Sequence, residues 1–253
     1  MNFKQITTVF FLILLCACKT KDLNLTKIEG QQIPISDTLQ VNQDLNSFIA
    51  PYHDHVTKEL DSVLTYTPKT LSREDGEFNS SLGNLIADIV YIQANPVFQS
   101  RTGNTIDFVL SNYGSIRAPL SKGNVTLRSV YELMPFENSI VVVALSGIQV
   151  KEAIDFLVKS KHPHPISGIK LVVDENKKLI DAKINNEPIS DSKIYYVATI
   201  DYLYNGGDHM TFFKPNKGDY VLNYKLRNAL IDYFTKADTI NPVIDDRFTQ
   251  QKQ

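Results

Sequence analysis

The chain reads as an α+β protein with a mixed sheet and packed helices, and three observations predict that class. Apolar residues recur every three or four positions in some stretches and every second position in others, so both helices and strands are present. The two kinds of stretch do not alternate as regular βαβ units, which argues against a doubly wound sheet. The polar turn Asp174 to Lys178 lies between two strand-like runs at the spacing of an antiparallel hairpin.

The first 17 residues read as a secretion leader outside the fold. One lysine precedes the apolar run Ile6 to Leu15, which is too short to span a bilayer. Leu15-Cys16-Ala17-Cys18 has the form of a lipobox, with cleavage before Cys18 and acylation of its thiol. Residues 18–41 are polar and fit an extended tether, and a globular body covers 42–253. The expected seat is the bacterial cell envelope, with the lipid in the outer membrane and the body facing the periplasm. Lys19 does not look like an inner-membrane retention signal. Cys16 lies in the leader and Cys18 at the head of the tether, so the body has no disulfide and no thiolate metal site. With 26 basic and 28 acidic residues interspersed, nothing points to nucleic acid as a partner.

Leu45, Ile49, Tyr52, Val56, Leu60 and Val63 lie on one helical face, with Pro51 predicting a kink or a late start. His53 and His55 point to different sides of that helix and do not read as a metal pair. Val63 to Leu71 reads as a strand and Ser72 to Asn79 as a polar loop. Ser80 or Ser81 caps a helix with Leu82, Leu85, Ile86, Ile89 and Ile92 inward, ended by Asn95-Pro96. Gly83 in its first turn allows close packing or the approach of a ligand to free backbone N–H groups.

Ile106 to Leu110 is an apolar strand running into the turn Ser111 to Arg117. Thr126 caps a short helix with Val130, Leu133 and Met134 inward. Met134-Pro135-Phe136-Glu137-Asn138 then leads into a strand from Ser139 to Leu145. The next helix buries Val150, Ile154 and Leu157. His162-Pro163-His164-Pro165 reads by default as a surface turn, the alternative being that its two histidines touch a ligand or metal. Ile169 to Val173 and Leu179 to Ile184 form the hairpin. Lys193 to Ile200 is a strand ending in Asp201-Tyr202-Leu203-Tyr204-Asn205-Gly206-Gly207-Asp208, where the Gly-Gly pair permits positive φ. Tyr224 to Phe234 is the last helix, and the tail beyond Asn241 holds Arg247 and one edge strand.

Several loop residues at strand ends carry usable chemistry. Arg117 offers a planar cation for phosphate, carboxylate or a stacked base. Phe136 and Tyr202 would clamp a flat heterocycle if they faced each other, and such stacking contributes about 1–3 kcal/mol per base. Asn138 can donate and accept along a base edge. Asp208 can accept from ribose hydroxyls. Singly, each also has a plain reading as a surface, core or turn residue.

Four motifs resemble the C-terminal domain of 5′-nucleotidases. Gly83-Asn84-Leu85-Ile86-Ala87-Asp88 resembles that family's GNLIAD. Asn112-Tyr113-Gly114-Ser115-Ile116-Arg117 is similar to its N-x-G-G-I-R turn, with Ser115 in place of the second glycine. Pro135 to Asn138 is similar to its PF-x-N, and Tyr202 to Asp208 to its aromatic followed by GGD, with His209-Met210 where Gly-Tyr is usual. The resemblance implies an α+β domain whose Phe136 and Tyr202 sandwich the base, with Asn138, Arg117 and Asp208 completing the substrate site. Asn112 and Arg73 join that set more loosely, Arg73 being out of register with the family's arginine.

The family's hydrolases cut phosphate esters with a two-metal domain bearing Asp-x-His, Gly-Asn-His-Glu and Gly-His-x-His. This sequence contains none of those motifs. It is therefore expected to hold no cofactor and no catalytic residue of its own. The resemblance implies a nucleotide or nucleoside as ligand and a separate metallophosphatase subunit holding the divalent metals. The alternative is a lipoprotein that captures nucleosides or nucleotides without catalysis, for uptake or sensing.

Overall fold

From residue 43 onward, helices and strands follow one another in mixed order. In chain order they are α1 (Gln43–Leu60), β1 (Val63–Thr67), α2 (Ser81–Thr102), β2 (Phe108–Leu110), β3 (Gly123–Thr126), α3 (Leu127–Leu133), β4 (Ser139–Ser146), α4 (Gly147–Lys159), β5 (Ile166–Ser167) and β6 (Ile169–Val173). There follow β7 (Leu179–Ile184), β8 (Glu187–Pro188), β9 (Ile194–Ile200), α5 (Asp201–Tyr204), β10 (Asp219–Lys225), α6 (Leu226–Phe234) and β11 (Phe248–Gln250). This is a computed structural model, and it describes residues 2, 25–36 and 38–251. Cys18 and the lipobox lie outside the described residues. Residues 25–36 are exposed and carry no helix or strand.

The architecture is α+β, as the sequence predicts. A five-stranded sheet runs β10-β4-β9-β2-β5, a four-stranded sheet β11-β6-β7-β8, and β1 pairs with β3. Most neighbours are antiparallel, but β2 lies parallel to β9, with Phe108 opposite Val197, and β11 lies parallel to β6. In β4 every residue from Ile140 to Leu145 is buried. A strand that is apolar on both faces must be covered on both, and α2 and α4 each pack on it. Each Leu or Ile so buried contributes about 1.5–3 kcal/mol. The parallel pairing of β2 and β9 positions the site, because it sets the turn after Leu110 beside the loop after Ile200.

Helix α2 starts where Ser80 accepts a hydrogen bond from the Gly83 N–H at 3.1 Å, and it ends at Gly103 with φ 75°. It passes through Pro96 rather than ending there. Proline costs one N–H and crowds the carbonyl one turn back, at Ile92. Ile92 is exposed, so water can satisfy that carbonyl, while Ala94 and Phe98 stay fully buried and hold the helix on the core. Ile92 thus drops out of the predicted inward stripe. Helix α1 likewise runs on through Pro51, but none of its residues is buried, and Leu45, Ile49 and Val56 are exposed. The sequence reading missed β10 and began the last helix two residues early. In β10 only Leu222 is fully buried and a register shift separates Val221 from Lys225, so no alternation marks the strand.

Candidate functional site

The turn after β2 is built from its own polar groups. Ser115 Oγ donates to the Asn112 carbonyl at 2.7 Å, closing the 3₁₀ turn Tyr113–Ser115. The hydroxyl gives Ser115 a bond that a glycine there would lack. The Arg117 N–H donates to the Leu133 carbonyl at 2.9 Å, tying the turn to the end of α3. Arg73 Nη1 donates to the carbonyls of Ile116 at 2.6 Å and Tyr113 at 3.3 Å, and its guanidinium lies 4.2 Å over the Tyr113 ring. Arg73 therefore braces the turn from outside through Nη1, while its Nε lies 3.5 Å from Glu74 Oε1.

The histidine segment backs the same turn, so it is more than a surface loop. His162 stacks on Tyr113 with ring centroids 4.5 Å apart. His164 Nδ1 accepts from the Tyr113 N–H at 3.3 Å, which places its proton on Nε2. Burial pushes the His164 pKa down to about 4, against a smaller upward pull from Asp208. The ring is thus neutral at ordinary pH, the state its acceptor role requires.

The second loop, Met134 to Asn138, is held from α6. Arg227 Nη1 donates to the Met134 and Pro135 carbonyls at 3.3 and 3.1 Å, and the same guanidinium pairs with Glu137. Lys225 Nζ adds a bond to the Glu137 carbonyl at 2.6 Å. These anchors were not singled out from the sequence, where each is one cation in an amphipathic stretch. They leave Phe136 exposed and the Asn138 side-chain amide without a hydrogen bond among the described residues.

The third loop follows β9, and its two glycines do different jobs. Gly206 takes φ 91° with open space around it, so its role is conformational. Gly207 serves close packing: a Cβ there would sit 2.5 Å from the Tyr202 ring. Asp208 and His209 also adopt positive φ, 51° and 61°, a conformation that costs a non-glycine residue free energy and occurs often at functional sites. Tyr202 OH donates to Asp208 Oδ1 at 2.9 Å, and Asn112 Nδ2 donates to Asp208 Oδ2 at 2.6 Å. The first of these bonds, with the carboxylate charge, raises the Tyr202 phenol pKa and keeps it a donor.

Arg117, Phe136, Asn138, Tyr202, Asp208 and Asn112 all line one cavity of about 320 Å³. Phe136 and Tyr202 both line this cavity and make no ring contact with each other among the described residues. Arg117 lies 5.9 Å from the Phe136 centroid and has no carboxylate partner among the described residues. Its side chain makes only a long bond, 3.5 Å, to the Gly114 carbonyl. Arg73 stands outside this cavity, in an adjoining depression of about 200 Å³ that also touches Arg117. A larger groove of about 580 Å³ opens beside α4 and β7, but its cation Lys151 is already paired with Asp191 at 2.6 Å. The smaller cavity combines two exposed aromatic rings, a carboxylate, and an amide and a guanidinium that have no hydrogen-bonded side-chain partner among the described residues.

GNLIAD lies elsewhere and frames the fold. A Cβ at Gly83 would come 2.7 Å from the capping Ser80 hydroxyl. Asn84 Nδ2 donates to Asn79 Oδ1 and the Val243 carbonyl, and Asp88 pairs with Arg247 at 3.0 Å. Gly83 thus serves packing, the first of its two sequence readings.

The fold is thus α+β, with a cavity that gathers aromatic, amide, carboxylate and guanidinium groups from three loops. The chain belongs to the 5′-nucleotidase, C-terminal domain family, which matches residues 58–215. It is 28% identical to an apyrase from Tabanus yao over 235 residues, covering 83% of this chain and 42% of the apyrase. It is 26% identical to protein UshA of Escherichia coli over 192 residues, covering 71% and 32%. A 5′-nucleotidase precursor from Thermus thermophilus shares the fold, with TM-score 0.69 and 22% identity over 82% of this chain and 43% of that one. The chain thus spans less than half the length of these relatives.

Proposed function

We propose that the cleft binds a nucleoside or nucleotide, and that the chain is the substrate-binding half of a 5′-nucleotidase completed by a separate metallophosphatase chain. The observation that carries this reading is the convergence of Arg117, Phe136, Asn138, Tyr202 and Asp208, from three loops, on one cavity. The aromatic faces take the base, and the free Asn138 amide reads its edge. Asp208 keeps lone pairs for sugar hydroxyls. Arg117, with no ion pair among the described residues, serves the phosphate.

Phosphoester hydrolysis needs an activated water and charge neutralisation, which paired divalent metals supply when bound. Among the described residues no group of three or more His, Cys, Asp or Glu side chains is placed to hold a metal ion. The reading therefore assigns the metals to the partner and substrate positioning to this chain. Acylation of Cys18 would hold the chain at a membrane of the cell envelope and raise its effective concentration toward a partner tethered there.

The test pairs calorimetry with a hydrolysis assay. The purified protein should bind adenosine and AMP yet release no phosphate until a metallophosphatase captured from detergent-solubilised membranes is added. Metal-dependent hydrolysis by the purified chain would overturn the division of labour. Binding with no partner recovered would favour a capture lipoprotein instead.

A further inference from the structure

We propose that the Tyr202 hydroxyl is a positioning group that couples stacking of the base to recognition of the sugar diol. The inference rests on the nucleoside reading of the cleft and adds to it a specificity device.

Three contacts carry it. The Tyr202 ring lies against Gly207, where only the missing Cβ makes room. Its hydroxyl donates to Asp208 Oδ1 at 2.9 Å. The other carboxylate oxygen accepts from the Asn112 amide at 2.6 Å, and Asn112 is buried. A carboxylate offers about four acceptor positions, so two remain for incoming hydroxyls. Asp208 itself sits in a left-handed conformation on a surface loop, and without its two donors it would be free to turn. The clasp therefore fixes the separation between the aromatic platform and the acceptor pair. A ligand bearing both a flat base and a vicinal diol meets both at once. A phenylalanine at this position would offer the same ring with no tie to the carboxylate. Discrimination then comes from preorganisation, because hydrogen bonds to a fixed, charged acceptor are stronger than those to one that must first be ordered.

The experiment is calorimetry of adenosine and 2′,3′-dideoxyadenosine on the wild-type protein, Tyr202→Phe and Asp208→Asn. Wild type is expected to favour adenosine by at least tenfold. In Tyr202→Phe that preference should shrink to about threefold or less, with dideoxyadenosine affinity nearly unchanged, since its ring still stacks. Asp208→Asn should also lose the preference, and the double variant should lose no more, the non-additivity of one coupled unit. Equal weakening of both ligands in Tyr202→Phe overturns the proposal, because the hydroxyl would then serve the ring alone. Tighter adenosine binding in Tyr202→Phe also overturns it, because the hydroxyl would then compete with the sugar. A wild-type protein that binds neither ligand overturns the nucleoside reading and this proposal with it. A wild-type protein that binds both equally overturns the coupling and the sugar role of Asp208, and leaves the stacking of the base standing.

Discussion

Arg247 and Arg117 stand in two regions that look alike in the sequence and differ in what the fold does with them. The Arg247 side chain is only 12% exposed, bonds Asp88 and Asp245 and also donates to the Ile166 carbonyl at 2.7 Å. Arg117 is exposed and has no carboxylate partner among the described residues. The same contrast separates GNLIAD, whose polar groups are consumed by the C-terminal tail, from the Gly206-Gly207-Asp208 loop, which turns Asp208 toward a cavity. A charged or amide side chain whose hydrogen-bonding capacity is spent inside the protein is framework. One held in place but left with capacity is available to a ligand.

That contrast can be tested from both ends. The largest effect is expected at the frame. Arg247→Ala leaves two partly buried carboxylates without their counter-charge and should cost about 2–4 kcal/mol in urea unfolding. If it cost nothing, the frame assignment would fail.

Next is the pH response of the segment behind the site. His164 is held at about 4, below its ordinary 6.5, so the unfolded chain binds its proton more readily than the fold does. Its contribution is complete above pH 6.5 and is lost as pH falls from 6.5 toward 4, a drop of about 2 kcal/mol after discounting for the part of the ring that solvent reaches. In His164→Gln, which keeps an acceptor for the Tyr113 N–H, denaturation curves across that range should be flatter. Equal slopes in the two proteins would remove His164 as the source.

The cleft should respond oppositely to the frame. Phe136→Ala or Tyr202→Ala is expected to weaken adenosine binding at least tenfold, about 1.4 kcal/mol, while unfolding free energy changes by only about 0.5 kcal/mol. Unchanged affinity in both variants would mean that the base does not lie between them. The smallest effect is expected for Arg117→Ala, with stability held and AMP affinity falling several-fold more than adenosine affinity. Equal losses for the two ligands would move Arg117 from the phosphate to the base.

Legibility followed local physics. Ser80 and Thr126 caps, the stripe from Leu82 to Ile89, and the apolar run of β4 were all readable, because each depends on neighbours within a turn or two. The helix end at Pro96 was misread because Phe98, beyond the proline, is anchored by partners distant in sequence. Strand β10 was missed because an irregular edge strand with one fully buried residue has no period. The loop motifs could be picked out from residue type and resemblance, but Arg227 and His164, which hold two of those loops from behind, carry no local signal.

An α+β body with glycine-marked loops at strand ends follows from periodicity, capping and turn chemistry, all short-range properties of the chain. Which polar groups are spent and which are left over is a long-range matter. Asp88 meets Arg247 across 159 positions and Asn112 meets Asp208 across 96. Only the packed core, by setting β2 beside β9 and the tail beside α2, decides that the first aspartate is consumed and the second faces an open cleft.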